Sequence, residues 1–163
     1  MTRLFAKLAM VVIVGNVLSP RPTAAQLLPP AKKAEHVKII KGPALELALD
    51  DLAIVRWTTT NPGGDDEHFA VAHYGTNPSD LSQTAKSHIR LNRSHPETIF
   101  RVRILGLKPQ TSYCYWVTSM GADGRSDGVK SAVNQFTTPG PGKRIIAYPT
   151  TRPTVLVFYA AAS

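Results

Sequence analysis

Between residues 37 and 138 turn residues cut the chain into short extended segments, and no stretch keeps a helical period long enough for a helix. "ALELALD" (44–50) alternates, with Leu45, Leu47 and Leu49 on one face and Glu46 and Asp50 on the other. "TIFRVRIL" (98–105) repeats the pattern, setting Phe100, Val102 and Ile104 against Arg101 and Arg103. "VKII" (37–40), "LAIVRWTTT" (52–60), "HFAVAHY" (68–74), "SQTAKSHIRL" (82–91), "SYCYWVTSM" (112–120) and "VKSAVNQFTT" (129–138) fill the remaining intervals. About seven strands at this spacing predict an all-β, seven-stranded antiparallel immunoglobulin-like sandwich, not a βαβ arrangement.

The flanks read differently. Arg3 and Lys7 precede the apolar run "LAMVVIVGNVL" (8–18), and small residues follow at Thr23 and Ala25. That pattern predicts a secretory signal peptide over 1–25, because a spanning helix needs roughly 20 apolar residues. Its removal takes away Arg3, Lys7 and Arg21 and no acid, so the formal charge of +8 falls to +5. Residues 26–36 read as a flexible lead-in, 37–139 as the domain, and 140–163 as a Pro/Gly linker with an apolar tail. The expected location is secreted or extracytoplasmic, with no transmembrane segment after cleavage. A mildly basic domain of this kind carries no nucleic-acid signature. Cys114 is the only cysteine, so packing must supply the stability that a disulfide supplies elsewhere.

The stretch "LKPQTSYCYWV" (107–117) keeps Leu107, Pro109, Thr111 and Tyr113 at a spacing of two. Such a corner carries the chain from one sheet to the other, with the tyrosine ring in the core and its hydroxyl bonded back to the backbone. Together with Trp57 on the second main strand, these residues resemble a fibronectin type III domain over about residues 37–138. "IVRWTTT", "YGTNPSDLSQTA", "LGLKPQTSYCYWV" and "NQFTTP" narrow the resemblance to the module placed ahead of the catalytic domain in purple acid phosphatases. They are equally similar to free-standing secreted bacterial modules of this type. The resemblance implies a spacer, docking or adhesion role and does not by itself imply catalysis.

Catalytic and metal signatures are weak. Gly64-Asp65-Asp66-Glu67-His68 fits a solvated acidic turn better than a fragment of a two-metal site. Of the histidines at 36, 68, 73, 88 and 95, His68 and His73 point to opposite faces of one strand, and no metal-ligand spacing emerges. Cys114 has no basic neighbour to activate it. In Arg125-Ser126-Asp127, turn chemistry explains the residues better than an adhesion motif, and Asp123 with Asp127 falls short of a calcium shell. Asn92-Arg93-Ser94 matches a glycosylation acceptor. The expectation is therefore a protein that is not itself an enzyme, with no catalytic residue, cofactor or metal.

Two surfaces remain as candidate partner or ligand sites. Arg56, Arg101 and Arg103 alternate outward on paired strands and predict a basic stripe, partly neutralised by Glu46 and Asp50. On the other sheet, period two sends Tyr113, Tyr115 and Val117 inward and leaves Cys114 and Trp116 outward, where Trp116 is expected to meet Phe69 and Val71. Candidate covers for that patch are the chain's own tail (155–159), a protein partner, or a cell-surface polysaccharide. The expected function is a secreted interaction or spacer module. The alternatives are the N-terminal accessory part of a purple acid phosphatase-like enzyme, or a carbohydrate-binding module.

Overall fold

The computed structural model describes residues 32–147 and the backbone of Val157–Phe158. The expected signal peptide and most of the lead-in and apolar tail lie outside the described residues. Among the described residues there is no helix, and so none long and apolar enough to cross a membrane. The strands are β1 (Ile39–Ala48), β2 (Leu52–Thr60), β3 (Glu67–Gly75), β4 (Gln83–Arg90), β5 (Glu97–Leu105), β6 (Ser112–Gly121), β7 (Asn134–Thr137), β8 (Ile145–Ile146) and β9 (Val157–Phe158). They form two antiparallel sheets in the orders β5-β2-β1-β8-β9 and β4-β3-β6-β7. The first seven make the expected sandwich, and the two-residue strands widen one sheet.

Alternation explains the core. Ala53, Val55 and Trp57 on β2 face Phe100, Val102 and Ile104 on β5 across one ladder, all fully or almost fully buried. Trp57 stacks on Phe100 with ring centroids 5.4 Å apart. From the opposite sheet, Tyr113, Tyr115, Val117 and Phe136 complete the same cluster. Ala70 and Ala72 on β3 belong to it as well, and their small side chains leave room for the large rings. Such burial of apolar area is the main stabilising term.

The corner forms as the spacing predicts. The Tyr113 hydroxyl accepts a hydrogen bond from the Lys108 amide at 2.9 Å. Thr138, fully buried, accepts from the Thr111 amide at 2.9 Å and donates to the Lys108 carbonyl at 2.6 Å. Leu107 is buried and its amide donates to the Asp51 carbonyl, continuing the β2–β5 pairing past the end of the ladder. Thus the crossing from β5 to β6 leaves few backbone groups unsatisfied.

Three expectations about β-structure need correction. The segments at 37–40 and 44–50 are one strand, because Gly42 and the cis Gly42-Pro43 bond kink the chain without ending it. At Gly42, with φ of 77°, a β-carbon would stand 2.9 Å from the Arg56 carbonyl oxygen, so the kink requires glycine. Further along, the register slips between Leu45 and Leu47. Leu45 therefore pairs with Val55 on the core side, while Leu47 pairs with Ile54 on the outer side, and the strict alternation of 44–50 is broken by a bulge at Glu46. The last strand is also shorter than expected. Over 129–133 the ladder is replaced by Ser131, whose amide donates to the Val117 carbonyl and whose hydroxyl accepts from the Val117 amide.

Replacing Tyr113 with phenylalanine deprives the Lys108 amide of its partner and should lower stability by about 1–2 kcal/mol. Urea denaturation checks this: the midpoint should fall while the slope stays constant.

Candidate functional site

The predicted patch around Trp116 is built differently from the expectation. On β3, Phe69, Val71 and His73 do face outward beside Cys114, Trp116 and Thr118 on β6. Their register, however, sets Trp116 opposite His73, Val71 opposite Thr118 and Phe69 opposite Met120. The direct cross-strand neighbour takes the ring: His73 and Trp116 stack with centroids 3.9 Å apart and planes 6° from parallel. From the other flank of β6, the Lys130 ammonium sits 4.6 Å over the same indole. Trp116 is thereby engaged by two side chains of the chain itself. Burial and then the Lys130 charge push the His73 imidazole below its ordinary value, which keeps the ring neutral for stacking.

Phe69 lies two rungs from Trp116 on its own face and makes separate contacts. The Lys86 ammonium stands 3.8 Å over its ring, and His88 meets its edge. Val71 is only 4% exposed and offers no contact area, contrary to expectation. Cys114 is half-buried and opposes Gly75 and Gln135. The cover expected from 155–159 lies largely outside the described residues. Its described backbone, Val157–Phe158, pairs with β8 in the opposite sheet.

The arginine stripe lies on the outer face of β5 and β2. Arg56 and Arg101 oppose each other directly in the ladder, and Arg103 opposes Ile54. Glu46, thrown outward by the bulge, accepts from the Arg101 guanidinium with both carboxylate oxygens, at 2.8 and 3.1 Å. Asp50 does not share in this neutralisation: its carboxylate accepts from the Gly142 amide instead.

The acidic turn is consumed by ion pairs. Asp66 binds Arg93 and Arg90, and Glu67 binds His88. The hydrogen bond from Arg93, together with the charges of Arg93 and Arg90, outweighs burial and holds the Asp66 carboxyl below its usual range. In Arg125-Ser126-Asp127 the aspartate is not displayed. Its side chain is fully buried, accepting from the Ser119 hydroxyl at 2.8 Å, with His68 Nε2 and Lys33 Nζ each 3.5 Å from the other oxygen.

This cluster of His68, Ser119, Asp127 and Lys33 is the polar feature that sequence reasoning missed. Period two from Tyr74 through Ala72 and Ala70 places His68 inward, which is the signal that it needs a buried partner. That the partner is Asp127, from a glycine-rich loop far along the chain, has no local signature. Beside it opens a cleft of about 250 Å³ lined by Lys33, Gly63, Gly64, Asp65, His68, Gly121 and Asp123. Burial would raise the Asp127 carboxyl, but His68, Ser119 and Lys33 together hold it below the usual range. The order is wrong for nucleophilic catalysis, since Ser119 is fully buried and donates to the carboxylate, not to the imidazole. Among the described residues, no three metal-ligating side chains converge.

Comparison with known proteins places the chain. The profile described as purple acid phosphatase, N-terminal domain, matches residues 44–138, more than half of the chain. No curated protein matches by sequence. Similar solved structures include the sensor domain of the anti-sigma factor RsgI4 of Pseudobacteroides cellulosolvens, at 20% identity over 64% of this chain and 90% of that one, with a TM-score of 0.44. The FN5 domain of Drosophila Lar follows at 20% identity, 62% and 99% coverage and a TM-score of 0.34. The third fibronectin III domain of human KIAA0343 is 16% identical, with 69% and 86% coverage and a TM-score of 0.35. With Trp57 in the core, the Tyr113 corner closed and the matched span running from β1 through β7 to Thr138, the chain belongs to the purple acid phosphatase N-terminal domain family, built as a fibronectin III-like sandwich.

Proposed function

We propose that the chain acts as a non-catalytic accessory module, exported from the cytoplasm and serving as a docking or spacing element for a protein partner. The family match over 44–138 carries this reading, because the matched region is the non-catalytic domain of its family. The fate of the polar side chains supports it. Asp66, Glu67, Asp127 and Glu46 are each engaged by a cation or hydroxyl of the fold, so the described carboxylates most suited to chemistry already have structural work. Export rests on the basic and apolar pattern of residues 3–18. An enzyme whose metal-bearing domain is a separate unit is compatible with this role. A carbohydrate-binding role for Trp116 is less favoured, since its ring already stacks on His73 and has the Lys130 ammonium over it.

The direct test is hydrolysis of p-nitrophenyl phosphate by the purified chain with added iron, zinc or manganese. No turnover above the metal blank is expected, and turnover abolished by His68→Ala would overturn the reading.

Asp127→Ala should cost about 3 kcal/mol near neutral pH, because it strands buried His68 and Ser119 and removes the counter-charge of Lys33. Since the folded carboxyl lies below its ordinary value of 3.8, its contribution is complete above that pH and fades as acid protonates the folded state. Denaturation curves of the two proteins should therefore converge below that value.

Trp116→Ala should raise the His73 imidazole back toward its ordinary value of 6.5 by exposing the ring, and Lys130→Gln should do so by removing a like charge. Proton NMR titration of the histidine ring resonances reads both shifts.

A further inference from the structure

We propose that the outer face of the sheet β5-β2-β1 docks an acidic protein surface, with Arg56 and Arg103 taking its carboxylates and the aliphatic residues around them taking its apolar side chains. This proposal deepens the accessory-module reading and rests on it. The ladder lays the face out in rungs: Leu105 beside Leu52, then Arg103, Ile54 and Leu47, then Arg101, Arg56 and Ala44, then Ile99, Thr58 and Lys41. Leu105 and Leu52 at one end and Ile99 at the other thus bracket an arginine band.

The band itself is costly to the fold. Arg56 and Arg101 are direct cross-strand partners, and like charges at such positions destabilise a sheet. Glu46 relieves only Arg101. Among the described residues no carboxylate lies within ion-pair distance of Arg56 or Arg103, and Asp50 is turned toward Gly142. Leu105 and Ile99 remain 61% and 44% exposed beside this charge. A partner that brings carboxylates and apolar side chains together satisfies both deficits, and the planar guanidinium suits a carboxylate best.

Other occupants fit less well. A second copy related by a two-fold axis would set arginine against arginine. A polysaccharide gains most from aromatic rings, and among the described residues none stands on this face. The opposite sheet also carries lysines, but Lys86 and Lys130 already rest on Phe69 and Trp116.

The test uses the full chain and two synthetic peptides of equal negative charge, one rich in Glu and Leu and the other in Glu and Ser, with heparin as third probe. Binding is read by fluorescence anisotropy at fixed salt. The Glu/Leu peptide should bind most tightly. Arg56→Gln with Arg103→Gln should weaken it about tenfold or more, whereas the charge-matched Lys86→Gln with Lys130→Gln should change it less than about threefold. Leu105→Ser should erase the preference over the Glu/Ser peptide. Arg56→Gln alone should raise Tm by roughly 1–3 °C as the repulsion disappears, which also shows that the variant folds. Equal losses from both lysine and arginine pairs, tighter binding of heparin through the same arginines, or a fall in Tm for Arg56→Gln would each overturn the proposal. Such a failure is distinct from failure of the accessory-module reading, which is phosphate turnover.

Discussion

A backbone that crosses from one sheet to another must satisfy its amides without a ladder, and the corner at 106–113 solves this with side-chain oxygens. The Tyr113 hydroxyl serves the Lys108 amide, while the Thr138 hydroxyl serves the Thr111 amide and the Lys108 carbonyl. Because Tyr113 is the second residue of β6 and Thr138 follows β7, the same few bonds fix where β6 begins and β7 ends. The register of β6 then decides which residues face the core and which reach the outside. Without that anchor, a one-residue slip would exchange Tyr115 and Val117 for Cys114 and Trp116 in the interior.

Polar groups inside and around the sandwich follow one logic. Three buried or half-buried carboxylates are met by other parts of the fold: Asp127 by a histidine, a serine and a lysine, Glu46 by Arg101, Asp66 by Arg93. Such pairs tie loops to strands and lead-in to core. Lys33 belongs to the segment before β1, and Ala34 donates to the Pro62 carbonyl, so the approach to the domain is fastened to the turn between β2 and β3. Gly63 permits this contact, since a β-carbon there would fall 2.1 Å from the Lys32 carbonyl oxygen.

Most of this architecture is legible in the sequence because it depends on period two and on turn residues. β2 through β6 begin and end within a residue or so of the alternating segments, and Tyr113 and Trp57 sit where their spacing implies. What escapes is what depends on a single extra residue or on distant chemistry. One bulge at Glu46 moves Leu47 to the outer face and delivers the glutamate to Arg101. A serine side chain at 131 stands in for backbone pairing and shortens β7. At Trp116, alternation predicts the direction of the ring but not its neighbour, which is set by how β3 registers against β6. The inward turn of Asp127 needs three residues from separate elements at once, and no local pattern encodes that.

The clamp on Trp116 has an optical consequence. The protein has two tryptophans, and they occupy different layers: Trp57 is sealed against Phe100 in the core, while Trp116 is stacked on an imidazole, with an ammonium over its ring, on the outside of the other sheet. Excited indole is quenched by a protonated imidazole at van der Waals distance. The emission of Trp116 therefore tracks the charge on His73, and that of Trp57 tracks the integrity of the core. The molecule carries its own pair of probes, one for its surface and one for its interior.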